Sequence, residues 1–281
     1  MANPGKVDYH VHYHVDGCSA DEMRLPGIAA AAQEIGLEEI AVLKHYSQEL
    51  PNHEARWVYW KRIIPEQFNA FLEDVAAFVP PDGLRMLTGV ETEIVNDGGD
   101  IAIPHEQQER LDMVGLSVHW LPRLAVIQAH PDYVPWREED TPRLTAEWHQ
   151  RVADVGVEAI LEGLVRAYVQ AVKHNTKVRT YAHMYDGLQP LREYNVPVAD
   201  LGETKLVEIM EPLMEAAAGA GVLWELNVDR IEVPAILRRA NELGVRFCAT
   251  SDAHSLAILR EHGKAEEIID ALGLTRGVLE P

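Results

Sequence analysis

The sequence is poor in cysteine and contains no long apolar run. Only two cysteines occur in 281 residues, Cys18 and Cys248, so we expect no disulfide framework and a reducing compartment. The first 30 residues lack the basic and apolar segments of a signal peptide, and no apolar run reaches about 18 residues. We therefore expect a soluble, cytoplasmic protein that does not associate with a membrane.

Positive charge is also scarce. The chain has 25 Lys and Arg against 45 Asp and Glu, a formal net charge of −20, which argues against nucleic-acid polymers and anionic membranes as partners. The sequence shows no Gly-rich phosphate loop, no nucleophile elbow around a serine and no catalytic cysteine signature. Any catalytic chemistry must therefore use residues outside these three motifs. Nothing in the sequence predicts the oligomeric state.

Short apolar strands alternate with segments of helical periodicity. We predict seven strands, centred near residues 7, 41, 88, 116, 180, 224 and 247. Helices are predicted over 20–36, 51–79, 157–173, 203–218, 234–243 and 255–272, whereas 120–150 is interpreted as an insertion or lid loop. This alternation is typical of a parallel sheet with helical crossovers, and seven repeats favour a closed barrel. Because no linker divides the chain, we predict a single α/β domain over residues 1–281.

Ionisable side chains recur where the predicted strands end. His10 and His12 lie two residues apart in the opening strand, so they share one face and form a potential metal chelate. The strand-end residues are His12, His45, Glu91, His119, His183, Glu225, Asp252 and His254. In a (β/α) barrel these ends form the active-site face. Imidazole and carboxylate together suit Zn, Mn or Fe, and such a cluster could hold two or three divalent ions, with Glu91 and Asp252 as bridging ligands.

The ordered segments resemble the PHP family, named for polymerase and histidinol phosphatase. The matching segments are Asp8-Tyr9-His10-Val11-His12, Val42-Leu43-Lys44-His45, Gly89-Val90-Glu91, Leu116-Ser117-Val118-His119, Tyr181-Ala182-His183 and Ser251-Asp252-Ala253-His254. The resemblance spans nearly the whole chain. The phrases Ser117-Val118-His119 and Glu225-Leu226-Asn227 are more similar to the histidinol-phosphatase branch than to the polymerase-linked branch.

The resemblance implies a distorted (β/α)7 barrel with a trinuclear metal site. The first ion would be held by His10, His12, Glu91 and Asp252, the second by Glu91, His119 and His183, and the third by His45 and His254. The family supplies one further ligand of the third ion just after the opening motif. Asp21 fits that position if a few residues are inserted, and Asp16 fits if they are not. We favour Asp21.

The resemblance also implies a phosphoesterase, with a small phosphomonoester as the most plausible substrate. A hydroxide that bridges two cations would attack phosphorus in line, and His254 or Asp252 would carry a proton to the leaving oxygen. Lys44 stands where the family often has Asp, and it places a cation beside the site. The candidate phosphate-binding residues are Lys44, Arg56, Arg123, Arg166 and Arg179.

Three alternatives remain open. A phosphodiesterase or nucleotide hydrolase could use the same metals, with the Trp-rich segments 57–60 and 120–148 stacking on a base. An amidohydrolase-like enzyme also opens with H-x-H on a barrel strand, although that superfamily usually has a carboxylated lysine where Glu91 lies here. A non-enzymatic module with a structural metal site is the third alternative.

Overall fold

The computed structural model describes residues 3–16, 18–46, 65–117, 142–184, 187–188, 191–192, 196–227 and 231–280. These residues contain seven strands, each near a predicted position. The strands are β1 (Val7–His12), β2 (Glu39–Tyr46), β3 (Arg85–Glu93), β4 (Met113–Ser117), β5 (Val178–Tyr181), β6 (Leu223–Leu226) and β7 (Phe247–Ala249).

The seven strands form one parallel sheet in sequence order, β1 to β7. The sheet curves until its two edges meet. Val11 in β1 forms a parallel bridge with Ala253 just beyond β7, and the His12 amide donates to the Ala253 carbonyl at 3.0 Å. This closure leaves a nearly complete barrel and confirms the predicted (β/α)7 class.

Helices cover the outside of the barrel. They are α1 (Leu25–Glu34), α2 (Pro65–Ala77), α3 (His105–Gln108), α4 (Pro142–Val155), α5 (Val157–His174), α6 (Glu203–Ala220), α7 (Pro234–Glu242), α8 (Leu256–Leu259) and α9 (Gly263–Leu272), with a 3-10 helix over Val198–Leu201. In α5 the buried residues Ile160, Leu164 and Tyr168 recur at helical spacing, so one face of the helix packs on the sheet.

Several predicted elements differ from the structure. The helix predicted over 20–36 begins at Leu25, and α2 covers only 65–77 of the helix predicted over 51–79, of which 51–64 lie outside the described residues. Residues 142–150 belong to α4, although the sequence led us to expect an irregular loop throughout 120–150. The four prolines of that segment led us to predict no helix there. Pro142 is the first residue of α4, and a proline is tolerated at this position because the first amide of a helix has no partner within the helix. The single helix predicted over 255–272 is divided between α8 and α9. The remainder of the predicted lid loop lies outside the described residues.

The interior of the barrel is apolar at the end where the strands begin. We call the following cluster the apolar plug: Val7, Tyr9, Ala41, Leu43, Leu87, Met113, Leu223, Cys248, Val278 and Leu279. The last two residues come from the C-terminal segment, which covers this end, and the Leu279 amide donates to the Tyr9 hydroxyl at 3.0 Å. Within the described part of the chain, no helix has the length and apolar character needed to cross a bilayer.

Candidate metal centre

A β-bulge in β1 turns both histidines of the opening motif into the barrel. Asp8 pairs with Ile40 and Val11 pairs with Val42, so Tyr9 and His10 together oppose the single residue Ala41. The extra residue shifts the alternation of side chains by one position. Tyr9 can therefore join the apolar plug while His10, the next residue, also points inward. The Asp8 carboxylate accepts from the His10 amide at 3.0 Å and stabilises the bulge.

Seven of the predicted metal ligands meet at the end of the barrel where the strands finish. This imidazole–carboxylate cluster consists of His10, His12, His45, Glu91, His183, Asp252 and His254. Three sets of three among these residues bring ligand atoms within 4.8 Å of one another. The side chains of His10, His12 and Glu91 are almost fully buried, whereas those of Asp252 and His254 are each 29% exposed. The cluster is therefore open to solvent on the Asp252 and His254 side.

Three atoms of the cluster, from His10, His12 and Asp252, are spaced as ligands of one ion, and Glu91 Oε2 lies near two of them. His10 Nε2 and His12 Nε2 lie 3.1 Å apart, and Asp252 Oδ1 lies 3.3 and 3.1 Å from them. Glu91 Oε2 lies 3.6 and 3.5 Å from the same two nitrogens. Tetrahedral ligands with bonds of about 2.0–2.1 Å are separated by about 3.3–3.4 Å. The residues present therefore fit a divalent ion such as zinc.

Glu91 extends the cluster toward a second position. Its other oxygen, Oε1, lies 2.8 Å from His183 Nε2, and His10, Glu91 and His183 form one of the three sets. Because Oε1 faces His183 while Oε2 faces His10 and His12, this carboxylate is suited to bridging two cations. His119, predicted as a further ligand here, lies outside the described residues.

A third position is built from imidazoles. His12, His45 and His254 form the remaining set, which contains no carboxylate. His254 Nδ1 donates to the Asp252 carbonyl at 2.8 Å, which leaves Nε2 with a free lone pair. His12 also belongs to the set of His10, His12 and Asp252, and one ring nitrogen binds one ion. This position therefore has fewer ligands of its own.

The backbone of two candidate ligands is unusual. Among the described non-glycine residues, only His183 and Asp252 have positive φ, at 36° and 49°. Left-handed backbone conformations at residues with a side chain cost free energy and concentrate at functional sites. His183 lies two residues beyond the end of β5 and Asp252 three residues beyond the end of β7, and both side chains belong to the cluster.

The charges in the cluster shift the pKa values of its members. Burial alone would lower the pKa of His12, but hydrogen bonds to Asp16 and Asp252 raise it to about 9. Burial would also lower the pKa of His10, but the charges of Glu225 and Asp252 hold it well above its ordinary value. At His45 burial dominates and lowers the pKa to about 4. The carboxylates thus attract positive charge, which either protons or metal ions can supply.

Two further carboxylates orient the histidines of the opening motif. Glu225, at the end of β6, is fully buried, and its Oε2 lies 2.7 Å from His10 Nδ1. An ionised carboxylate only accepts hydrogen bonds, so His10 Nδ1 carries the hydrogen and Nε2 is free for a metal. Asp16 Oδ2 lies 3.4 Å from His12 Nδ1 in the same arrangement. The sequence marked Glu225 as a strand-end residue but assigned it no role in the site.

Several predicted site residues lie elsewhere. Asp21 is exposed in the turn before α1, and it belongs to none of the three metal-capable sets. Arg166 is on the outer helix α5, beside Glu162 of the same helix. Arg179, near the start of β5, donates to the Glu280 carbonyl at 2.7 Å, far from the strand ends.

Lys44 is beside the cluster but is not directed into it. Its side chain is 1% exposed, and Nζ lies 2.7 Å from Asp16 Oδ1 in a buried ion pair. Arg56 and Arg123, the remaining predicted phosphate ligands, lie outside the described residues.

Comparisons with known proteins find relatives in sequence and in fold. No family model matches the chain. Two Vibrio vulnificus proteins named probable phosphatase, from strains YJ016 and CMCP6, are 24% and 23% identical to this chain over 270 residues, which cover 96% of it and 86% of each relative. A probable phosphatase of Vibrio campbellii is 32% identical over 115 residues, or 41% of this chain and 40% of the relative.

Two solved structures share the fold. The histidinol phosphate phosphatase of Lactococcus lactis, in complex with zinc, L-histidinol and phosphate, has a TM-score of 0.55 and 18% identity, and the match covers 96% of this chain and 94% of that one. A Listeria monocytogenes protein assigned as a histidinol phosphatase has a TM-score of 0.60 and 15% identity, with 90% and 97% covered. These similarities show that the chain has the same barrel fold.

Proposed function

We propose that this protein is a metal-dependent phosphoesterase of the PHP type that hydrolyses a small phosphomonoester. The observation that carries the proposal is the spacing of His10, His12 and Asp252 around one point, with one oxygen of Glu91 beside both histidines and the other directed at His183. The similarity to proteins named probable phosphatase supports the reaction class. The shared fold of a phosphatase that binds zinc and phosphate supports the metal and the phosphorylated substrate.

The ligand sets suggest an order of metal affinity. We expect the tightest ion at His10, His12, Glu91 and Asp252, where two imidazoles and two carboxylates converge. A second ion would use Glu91 and His183, with His119 as the predicted additional ligand. A third would use His45 and His254, which with His12 form a set without a carboxylate of its own. Zn, Mn and Fe all suit these donors.

Each part of the cluster has a distinct task in the proposed reaction. When bound, divalent ions lower the pKa of water and neutralise charge on a phosphoryl group. Glu225 and Asp16 keep the rings of His10 and His12 in the orientation that ligation requires. Asp252 and His254 are the most exposed members, so they are placed to meet a substrate and to move a proton to the leaving oxygen.

The cytoplasmic location remains a prediction.

A substrate panel tests the proposal. Metal-free protein is reconstituted with Zn, Mn or Fe and offered phosphomonoesters, histidinol phosphate among them, with phosphodiesters and amide substrates in parallel. We expect phosphate release from at least one monoester, abolished by a chelator and restored by metal. Turnover of diesters above monoesters would favour the phosphodiesterase alternative. Turnover of amides alone, or of no compound, would refute the proposal.

A further inference from the structure

The environment of Lys44 is unusual for a residue beside a cation-binding cluster. Leu43 packs in the apolar plug and His45 joins the cluster, so both face the barrel interior, and Lys44 between them faces the opposite side of β2. Its ammonium is buried against Asp16, with side-chain exposures of 1% and 0%. Fully buried lysines are rare and need an ionic partner. The position of Lys44 is therefore fixed by Asp16.

Asp16 connects Lys44 to the cluster. Its Oδ1 accepts from Lys44 at 2.7 Å, whereas Oδ2 accepts from the His45 amide at 2.9 Å and lies 3.4 Å from His12 Nδ1. Three groups on two strands thus hold one carboxylate in place. Both oxygens are held by these contacts, and Asp16 belongs to none of the three metal-capable sets, so it supports His12 from behind.

We propose that Lys44 is a positioning residue of the metal centre, which acts through Asp16 to orient His12, and that it does not bind the substrate phosphate. This inference rests on the metal-binding role of His12 in the proposed function. It assigns His12 the same support that Glu225 gives His10, except that the carboxylate is itself anchored by a buried ammonium. The two imidazoles of the opening motif are then each backed by a carboxylate on a different strand or loop.

Two equilibrium measurements separate this role from phosphate binding. In Lys44→Met the charge is lost and the length of the side chain is kept. We expect zinc affinity, measured by competition with a chromophoric chelator, to fall about 10-fold to 100-fold, as for other lost supports of a ligating histidine. Inorganic phosphate, titrated by calorimetry into the zinc-saturated variant, should bind as it does to the unaltered protein. Weakened phosphate binding with unchanged zinc affinity would overturn the proposal, as would no change in either.

Removal of Lys44 alone leaves a buried carboxylate without its cation, so a second variant covers the case of misfolding. Lys44→Met combined with Asp16→Asn removes both charges, and such paired removal is often tolerated. If Lys44 acts through Asp16, the double variant should lose as much zinc affinity as Asp16→Asn alone, so the two changes are not additive. Fully additive losses would contradict the inference.

A control ion pair lies at the other end of the same strand. Arg85 donates to the buried Glu39 at 2.7 Å, and Arg85→Met should leave zinc affinity unchanged. These readouts need no turnover, so they also distinguish the two proposals. Zinc binding without phosphatase activity would refute only the proposed function, whereas absence of zinc binding by the unaltered protein would refute both.

Discussion

The two ends of the barrel are built from the same strands but have opposite chemistry. β1 contributes Val7 and Tyr9 to the apolar plug, and then His10 and His12 to the imidazole–carboxylate cluster. β2 and β3 repeat this division, with Leu43 before His45 and Leu87 before Glu91. One end buries hydrocarbon, which stabilises the fold, and the other buries ionisable groups, which cost free energy unless paired. In β1, β2 and β3 the first half of the strand is thus anchored in the plug, and the second half carries the functional groups.

The largest expected effect is loss of function at the cluster end. Glu91→Gln removes the charge of the carboxylate whose oxygens lie near His12, His45 and His183. Loss of a residue that only supports a metal ligand costs about 10-fold to 100-fold in metal affinity or activity. Because Glu91 is itself a proposed ligand, we expect turnover to fall more than about 100-fold and the zinc content, measured by elemental analysis, to decrease. The matched control, Glu39→Gln beside the plug, should keep its turnover. Equal loss of turnover in both variants would contradict the assignment of catalysis to the cluster end alone.

The next effect is a loss of stability at the plug. Leu43 is fully buried and lies so close to Gly89 that a Cβ added there would approach Leu43 Cδ2 within 2.6 Å. Leu43→Ala should leave a cavity that its neighbours cannot fill, and should lower the free energy of unfolding by about 2–5 kcal/mol. Urea denaturation measures this change. Metal content per folded molecule should remain normal, and its loss would show that the plug and the cluster are coupled.

A smaller loss is expected from the polar contact within the plug. The Tyr9 hydroxyl donates to Glu39 Oε1 at 2.6 Å and accepts from the Leu279 amide at 3.0 Å. Tyr9→Phe removes both bonds and should lower the free energy of unfolding by about 1.5–3 kcal/mol, since one partner is a carboxylate. Urea denaturation at neutral pH provides the measurement. No measurable loss would mean that these two hydrogen bonds contribute little to the stability of this end.

The smallest effect concerns the pH dependence of the metal-free protein. The pKa of His12 is raised to about 9, so its contribution to stability is complete below its unfolded value of 6.5 and is lost as the pH rises toward 9. The pKa of His45 is lowered to about 4, so its contribution is complete above 6.5 and is lost as the pH falls toward 4. We therefore expect a stability maximum near pH 6.5.

Bound metal should abolish the loss of stability at alkaline pH. A bound ion requires deprotonated imidazole, so the zinc-loaded protein should gain stability above pH 6.5, where the metal-free protein loses it. Thermal unfolding at a series of pH values, with and without zinc, checks the prediction. Parallel profiles would show that zinc does not replace protons on these histidines.

The sequence predicted the barrel and most of its cluster because both depend on local patterns. Strand periodicity located all seven strands, and the position of an ionisable residue at a strand end predicted its place at one face of the barrel. His45, Glu91, His183 and Asp252 were found in this way. The fold class is confirmed, and the relatives named as phosphatases agree with the predicted reaction class.

The remaining features depend on contacts between distant residues. Whether Asp16 or Asp21 comes near the predicted third metal site is decided by the path of the chain after β1, which no periodicity reports. Lys44 lies beside the predicted site in the sequence, but the alternation of β2 directs it outward to Asp16. Glu225 acquires its role only because β6 brings it within 2.7 Å of a ring from β1.

The bulge in β1 has a consequence for the comparison of related sequences. Because Tyr9 and His10 share the single partner Ala41, the segment 7–12 works as a unit of fixed length. Loss of one residue there would turn His10 or the plug residues outward, so an insertion or deletion within it should be far less tolerated than one in a surface loop. An alignment that places a gap between Asp8 and His12 would therefore pair residues on opposite faces of the strand, however high its identity.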